Sequence, residues 1–412
     1  MIKMENTSTY PSEKPPFKGF KYWMPAIVLM LTVVLAFFDK ISIAVLFADP
    51  QFVSDLGITG DKSKLGWLMT SFLFAYGLSS IFLSFVGDLF GPRRIILAGI
   101  ASWGVLMLLM GMTSNFYMLL FLRVLLGIAE GPLLALCYSI VKQNYTLSEQ
   151  ARASTLFLLG TPIGAALGFP ITAFILEKYN WHATFFVMGS LTLLLLVIVY
   201  FGLKGITYVK NNVKKSVDHK QNFQKLLRST PFWLVTVFNV GSMAYLWGLN
   251  SWIPTYLIEA KGFNLKQFGG LSMIPFLAML VGEIVGAFNS DRYPNRRAMQ
   301  VFVGLFGAGL SMYFLIHQQG IVNVLIFMSA SAFLWGLNAS AIFALLSNTT
   351  EKEVATTAGG IFNGFGNFAS SLAPMLIGYI VVFTGDINNG ILFLSLVAIV
   401  SSLVLLPLVR KY

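Results

Sequence analysis

The chain has 412 residues, of which 56% are hydrophobic and only 11% charged, and its mean hydropathy is +0.75. Soluble domains carry about 25% charged residues, so this composition excludes a soluble protein and predicts an all-α polytopic membrane protein. The single cysteine, Cys137, excludes a disulfide framework, and we expect neither a metal site nor a cofactor.

Apolar runs of about 20 residues or more, long enough to cross a bilayer as helices, follow one another along the chain. Twelve such spans begin near Trp23, Lys64, Pro92, Phe116, Gln150, His182, Phe232, Gln267, Arg296, Ile321, Val354 and Asn388. Residues 1–22 are polar and predict a cytoplasmic tail without a cleavable signal peptide. The basic stretch 204–231 predicts a cytoplasmic linker between two six-helix bundles, 23–203 and 232–409.

The basic residues that give the chain its net charge of +11 are concentrated on one side of the membrane. With a cytoplasmic N-terminus, 21 of the 28 lysines and arginines lie on the cytoplasmic side, 5 lie outside and two lie within spans. The positive-inside rule therefore predicts a multi-pass protein of the cell membrane with both termini in the cytoplasm. Nucleic acid is not an expected partner.

Charged residues interrupt the apolar spans at a few positions. Asp39 and Lys40 lie in span 1, whereas Arg123 and Glu130 lie two turns apart on one face of span 4. An ionised side chain at mid-bilayer costs about 2.5–3.5 kcal/mol, so such residues are usually paired or line a wet cavity. The pattern leaves two interpretations, a structural role as an ion pair or an interhelical polar contact, or a site for a charged solute. For Glu283 in span 8 we expect a structural or gate role more than a coupling role.

Counting residues along the spans allows the depths of these charges to be compared. Asp39, Lys40 and Arg123 come out at a similar height in the outer half of the membrane, and Glu130 lies about two turns deeper. Asp39 is thus the predicted local partner of Arg123, and Glu130 is predicted to be free to titrate.

A loop motif recurs in the two halves at an offset of 203 residues. Spans 2 and 3 are joined by SFVGDLFGPRR, and spans 8 and 9 are joined by AFNSDRYPNRR. Each loop combines an aspartate that can cap a helix N-terminus with arginines that can meet acidic groups or helix C-termini, which suits a latch between two access states. The recurrence indicates a duplicated six-helix unit. The predicted cytoplasmic gate residues are Asp88, Gly91, Arg93, Arg94, Asp291, Arg292, Arg296 and Arg297.

Glycines recur in spans 5 and 11. Span 5 has Gly160, Gly164 and Gly168 at four-residue spacing, and span 11 contains GGIFNGFGNFASS. Small residues at this spacing let helix backbones approach closely. Tight static packing accounts for most of these glycines, while their corresponding positions favour moving interfaces between the halves.

These features together resemble the major facilitator superfamily. Its signature for the loop between spans 2 and 3 is similar to GDLFGPRR here, although Ser84 replaces the leading glycine of the signature and Leu89 replaces the arginine that usually follows the aspartate. Its fourth-helix signature is similar to RVLLGIAEGP. The anion:cation symporter branch, which carries organic and inorganic anions, resembles this chain at FFDKISIAV, WIPTYLIEAKGFNLKQFGG and GGIFNGFGNFASSLAP. That branch usually has Asp-Arg where this chain has Asp39 and Lys40.

The resemblance and the buried charges together predict an importer of a small organic anion, such as a hexonate, a hexuronate or another carboxylate, by proton symport. Lys40 and Arg123 are expected to attract the carboxylate, and Asp39 and Glu130 to carry the coupling protons. A desolvated carboxyl favours its neutral form and a nearby cation opposes this, so an anion that engages the cations would help the carboxylates to take up protons. Further substrate-binding candidates are Tyr76, Tyr245, Asn250, Asn338, Asn363 and Asn367, with Trp252 beside them.

Two other functions are compatible with parts of the sequence. A drug or cation:proton antiporter of the same superfamily would export cations and hydrophobic solutes, which two buried cationic residues argue against. A sensor or membrane enzyme is disfavoured because the sequence has no phosphate-binding loop and no nucleophile–base pair, and its loops are short. We expect a functional monomer whose partners are the anion, protons and the lipid bilayer.

Overall fold

The computed structural model of the chain describes residues 19–83, 86–206, 224–350 and 355–411. Every regular element in these ranges is a helix. The predicted tail and linker lie largely outside the described residues, as does the side chain of Asp88.

In the described ranges, twelve apolar helices, α1–α12, follow in chain order. Helices α1–α6 are Phe20–Leu46, Lys62–Phe82, Pro92–Gly111, Phe116–Asn144, Ala153–Lys178 and Trp181–Gly202. Helices α7–α12 are Thr230–Ala260, Leu265–Arg292, Pro294–Ile316, Ile321–Thr349, Ile361–Thr384 and Ile387–Leu403. Within the described part of the chain, eleven are long and apolar enough to cross a membrane, and α12 is a shorter apolar helix of 17 residues. The predicted all-α polytopic membrane fold is confirmed.

Polar residues in the short loops begin several of these helices. Asn115 accepts a hydrogen bond from Met118 N at 3.0 Å, and Asn180 accepts one from Ala183 N at 2.9 Å. Such side chains satisfy amides at a helix start that have no partner within the helix. The caps allow successive helices to reverse direction through few residues.

Helices α4 and α11 are each built from two pieces. Helix α4 consists of Phe116–Glu130 and Leu133–Asn144. At α11, the helical piece Ala355–Ser370, which begins before the apolar span, is followed by Ala373–Thr384. Pro132 lies in the first break, and Pro374 lies in the first turn of the piece after the second break. At these positions a missing backbone N–H disrupts the regular ladder least.

The glycines of α5 pack within one half of the molecule. A Cβ added at Gly160 would lie 2.6 Å from the carbonyl oxygen of Met30 on α1, and one at Gly168 would lie 2.8 Å from Ile41. The predicted moving interface between the halves is therefore wrong for α5, where the glycines serve close packing on α1. In α11, by contrast, Gly364 faces Ile81 of α2 in the other half.

The two six-helix halves meet along α2 and α11. We call the end of the bundle that carries Lys62 the Lys62 end, and the opposite end, with Arg93 and Arg297, the arginine end. At the Lys62 end a Cβ added to Gly66 would lie 2.5 Å from the carbonyl oxygen of Pro374, so the backbones of α2 and α11 approach closely there.

An ion pair also joins the halves at the Lys62 end, between Lys62 and Glu259. Phe47, just after α1, packs against Trp252 of α7 with ring centres 6.1 Å apart. The halves are thus in polar, aromatic and backbone contact at this end, which is closed.

Candidate functional site

Glu130 ends the first piece of α4 and is fully buried. Neither of its carboxyl oxygens has a hydrogen-bond partner among the described residues. The next residue, Gly131, packs so tightly on α2 that an added Cβ would lie 2.6 Å from the carbonyl oxygen of Tyr76. The close packing of α4 on α2 and the break in α4 together fix this carboxyl in the interior.

Arg123 lies two turns earlier on α4 and is also fully buried. Its Nε donates to the carbonyl oxygen of Leu68 at 3.2 Å, and its guanidinium carbon lies 4.4 Å from the centre of the Phe72 ring. Its Nη1 finds no acceptor in the described part of the chain. Arg123 is thus oriented by α2 and keeps one donor unused.

Lys40 lies on α1 with only 2% of its surface exposed. Its ammonium contacts the faces of four aromatic rings, which we call the aromatic cage. The distances from Nζ to the ring centres are 3.8 Å for Tyr76, 4.6 Å for Phe37, 5.2 Å for Trp247 and 5.7 Å for Phe72. Cation–π contact stabilises a desolvated ammonium without neutralising it.

Asp39, the neighbour of Lys40, points to α6. Its Oδ2 accepts a hydrogen bond from the Thr192 hydroxyl at 3.3 Å, and its Oδ1 has no partner among the residues that the structure describes. With 2% of its surface exposed, Asp39 is removed from bulk water, and only one of its two carboxyl oxygens accepts a hydrogen bond within the described residues.

We call Asp39, Lys40, Arg123 and Glu130 the charged cluster, because they interact electrostatically across α1 and α4. Glu130 lies within the field of both Lys40 and Arg123, and Asp39 lies within the fields of Glu130 and Arg123. In the described ranges none of them forms an ion pair within 4.0 Å. The prediction that Asp39 is the direct partner of Arg123 is wrong, because the backbone oxygen of Leu68 takes that place. The interpretation of Arg123 and Glu130 as a structural ion pair is not supported among the described residues. Arg123 does make the alternative interhelical polar contact, to the carbonyl oxygen of Leu68 on α2.

The neutral residues predicted to bind the substrate make different kinds of contact. Tyr76 belongs to the aromatic cage. Tyr245 instead faces the core of its own half, where its hydroxyl bonds to Ser331 and lies 3.4 Å from the carbonyl oxygen of Ala308. Its predicted role in substrate binding is not supported by this orientation, since its hydroxyl is already satisfied.

The candidate asparagines lie in α7, α10 and α11. Asn338 is buried, donates to the Ser242 hydroxyl at 2.9 Å and keeps an unpartnered Oδ1 among the described residues. Asn367 donates to Asn363 on the same helix at 3.0 Å, which links these two side chains to one another. Asn250 is partly exposed.

Trp252 has a structural partner. Its Nε1 donates to the carbonyl oxygen of Pro374 at 2.9 Å near the Lys62 end. Glu283 is partly buried on α8 beside α10, where a Cβ added at Gly336 would lie 2.8 Å from its backbone nitrogen. The structure brings neither residue into contact with the charged cluster.

At the arginine end, the motif arginines bind within their own halves. Gly91 has a φ of 89° in the first loop. Arg93 donates to the carbonyl oxygen of Tyr200 at 2.9 Å, in the last turn of α6. Arg297 donates to the Ser290 hydroxyl at 3.2 Å, near the end of α8, and to Asn348 at 3.0 Å. Both arginines therefore meet the C-terminal turns of helices, where the backbone dipole favours a cation.

Four other residues of the loop motifs at this end are exposed. Arg94, Asp291, Arg292 and Arg296 are exposed, and the guanidinium carbon of Arg292 lies 5.7 Å from the Tyr293 ring centre. The side chain of Asp88 is not among the described ones, so its part in the gate stays a prediction.

Sequence reasoning missed Trp247 and Thr192. Both contact the charged cluster, Trp247 through Lys40 and Thr192 through Asp39. Each is one aromatic or hydroxyl residue among many in an apolar helix, and only the packing of helices shows which of them reaches a charge. No group of His, Cys, Asp and Glu residues in the described ranges is arranged to hold a metal ion.

Comparison with known proteins places this geometry in a family. The model of the Major Facilitator Superfamily matches residues 29–374. The probable sulfoacetate transporter SauU of Cupriavidus necator is 28% identical over 382 residues, covering 87% of each chain. The probable galactarate/D-glucarate transporter GudP of Bacillus subtilis is 27% identical over 450 residues, covering 100% of this chain and 96% of that protein.

The fold is also found among solved structures. A bacterial homologue of the human lysosomal transporter Spinster, in an inward-facing and occupied conformation, matches with a TM-score of 0.80 at 15% identity, over 94% of this chain and 96% of that chain. With the family model covering most of its length, this multi-pass membrane protein belongs to the Major Facilitator Superfamily.

Proposed function

We propose that the protein is a secondary active transporter that imports a small organic anion together with protons. The observation that carries this proposal is the pair of buried cations, Lys40 and Arg123, neither of which is neutralised by an ion pair within the described residues. Both are held by aromatic rings and a backbone oxygen, which leaves their charge available to an anion. The relatives named as a probable sulfoacetate transporter and a probable galactarate/D-glucarate transporter support an anionic substrate.

The substrate class follows from the chemistry of the cluster. A carboxylate gains a charge-assisted hydrogen bond from Lys40 and from the unused Nη1 of Arg123. Sugar acids, which combine a carboxylate with hydroxyl groups, suit the buried amide of Asn338, whose Oδ1 lacks a donor among the described residues. Hexonates, hexuronates and aldarates are therefore the first substrates to test.

Proton coupling is assigned to Asp39 and Glu130. The carboxylate oxygens of Glu130 have no hydrogen-bond donor among the described residues, so in its charged form Glu130 depends on the fields of Lys40 and Arg123. An incoming anion competes for those fields, and each carboxylate then takes up a proton more readily. Release of the anion on the other side restores the fields and expels the protons.

Alternating access rests on the two ends of the bundle. The basic arginine end is assigned to the cytoplasm by the positive-inside rule, which places the Lys62 end outside. The closed contacts at the Lys62 end then describe a state that is sealed toward the exterior. Rocking of the two halves would open this end and close the arginine end, with a single chain supplying the whole pathway.

Uptake into proteoliposomes tests the function. Purified protein is reconstituted and supplied with labelled glucarate, glucuronate, galactonate or sulfoacetate, with and without an inward proton gradient. We expect saturable uptake of at least one anion that the gradient accelerates. Transport of no anion, together with proton-driven export of cationic dyes, would instead support a drug:proton antiporter.

A further inference from the structure

Trp247 is the member of the aromatic cage that comes from the second half of the molecule. It lies on α7, whereas Phe37, Phe72 and Tyr76 lie on α1 and α2. Its ring contacts both the Lys40 ammonium, at 5.2 Å, and the Phe37 ring, with centres 6.1 Å apart. Among the described residues, Trp247 is therefore the aromatic contact that the second half makes with the Lys40 ammonium.

The indole nitrogen of Trp247 is a buried donor without an acceptor. Nε1 is inaccessible to water and makes no hydrogen bond within the described residues, although 5% of the whole residue remains exposed. Buried N–H groups normally find an acceptor, and leaving one unpaired is unfavourable. An acceptor supplied by a ligand removes this cost.

A second unused donor belongs to Arg123, which contacts the cage through the Phe72 ring. Arg123 Nη1 is likewise buried and unpartnered in the described part of the chain, and Arg123 and Lys40 both lie over the Phe72 ring. Three positively polarised groups, from α1, α4 and α7, are thus linked through the rings of the cage. A carboxylate or sulfonate has enough acceptor lone pairs to satisfy all three.

We infer that the indole N–H of Trp247 donates a hydrogen bond to the transported anion, together with Lys40 and Arg123. This inference rests on the proposed function, and it adds a contact from the half that contributes no charge to the cluster. The anion is then bound by both halves at once. Binding thereby changes a contact between the halves, which is the contact that must rearrange when access alternates.

Trp247 then selects for solutes whose anionic groups accept a hydrogen bond. A neutral or cationic solute at the same place leaves the indole N–H and the Arg123 Nη1 unpaired, and it is disfavoured for that reason. The aromatic walls contribute apolar contact to the carbon skeleton of the solute, whereas the three donors recognise its charged end.

The test measures equilibrium binding to the full-length purified protein. The dissociation constants of glucarate, glucuronate, galactonate and sulfoacetate are determined by calorimetry, and the tightest of them is used for the variants. Trp247→Phe keeps an aromatic ring but removes the N–H. Incorporation of 3-benzothienylalanine at position 247 keeps the size of the indole and replaces only the N–H by sulfur, so it separates the hydrogen bond from the packing.

Trp103→Phe is the matched control. Trp103 is also buried with an unpartnered Nε1 among the described residues, but it lies on α3, which supplies none of the four charged residues. We expect both changes at position 247 to weaken anion binding about 10- to 100-fold, as for the loss of a hydrogen bond to a charged group. The Trp103→Phe variant should stay within about twofold of the wild type.

The outcomes separate the inference from the proposed function. If the wild type binds an anion and the benzothienylalanine variant binds it equally well, the inference about Trp247 is overturned while the anion site stands. If the wild type binds none of the four anions, the proposed function fails, and the inference fails with it. Equal weakening by Trp103→Phe would also overturn the inference, since the effect would then reflect general packing.

Discussion

The ammonium of Lys40 lies 3.8 Å from the centre of the Tyr76 ring, so a cation on α1 is held by an aromatic residue on α2 and not by a carboxylate. Asp39, its neighbour in sequence, faces Thr192 on α6. A cation–π contact contributes about 2 kcal/mol or more when desolvated, yet it leaves the full positive charge in place. This arrangement explains how a lysine can remain buried in the membrane region with its charge intact, as the proposed anion site requires.

Tyr76 should support anion binding through its ring. We expect Tyr76→Leu to weaken anion affinity about 3- to 30-fold, because Lys40 loses the aromatic face that holds it. Tyr76→Phe keeps the face and should bind nearly as the wild type does. Binding measured by calorimetry on both variants checks the prediction, and equal losses in the two would show that the hydroxyl matters and not the ring.

The carboxylates should be needed for the proton gradient to drive uptake. Asp39→Asn and Glu130→Gln each remove a group that takes up a proton, so gradient-driven accumulation should fall at least about tenfold. Exchange of labelled for unlabelled anion, which needs no net proton movement, should be affected much less. Both activities are measured in proteoliposomes.

Glu177→Gln is the control for these variants, because Glu177 is exposed at the Lys62 end of α5. It should accumulate the anion as the wild type does. Full gradient-driven uptake by both Asp39→Asn and Glu130→Gln would contradict the assignment of proton coupling.

The ion pair between Lys62 and Glu259 should favour the state closed at the Lys62 end. Both side chains are partly exposed, so the pair is worth about 0.2–1 kcal/mol and its loss shifts the equilibrium by up to about fivefold. Spin labels at the exposed residues Gln51 and Gln319, in a Cys137→Ser background, would report the separation of the halves at this end. Lys62→Gln should increase the population with long distances.

Two further variants sharpen that measurement. The charge swap Lys62→Glu with Glu259→Lys should restore the short distances. Lys64→Gln should leave them unchanged, because Lys64 pairs at 3.6 Å with Asp61 of its own half. A distance distribution that does not respond to Lys62→Gln would show that backbone and aromatic packing alone close this end.

Gly131 should be required for the packing that positions Glu130. An alanine Cβ there would lie 2.6 Å from the carbonyl oxygen of Tyr76, so α4 must move away from α2. Overpacking of this kind costs about 1–3 kcal/mol, and Gly131→Ala should lower both the melting temperature and anion affinity. Gly270→Ala, where an added Cβ has no atom within 4 Å, should change neither. Unaltered stability of Gly131→Ala would mean that α4 and α2 separate easily.

Much of the fold could be predicted from the sequence because hydrophobicity decides where helices cross a membrane. The order of the apolar helices in the described ranges follows from apolar length, and the buried position of the charges in α1 and α4 follows from the cost of exposing them to lipid. The function of the α5 glycines could not be predicted, since spacing shows that a neighbour is close but not which helix it is.

The partners of individual side chains were also beyond the sequence. Height in the membrane suggested Asp39 as the partner of Arg123, but Arg123 turns to the carbonyl oxygen of Leu68. Tyr245 bonds to Ser331 inside its own half, and Trp247 reaches Lys40 from the other half. In helices that are apolar nearly all round, the sequence period does not reveal which face meets which neighbour.

Proton movement that accompanies the anion distinguishes proton symport from transport of the anion alone. Lightly buffered proteoliposomes with equal pH on both sides receive the best-bound anion, and a pH electrode follows the external medium. We expect the medium to become more alkaline as anion and protons enter together, and Glu130→Gln to abolish this change. Anion uptake by the wild type without any alkalinisation would rule out proton symport.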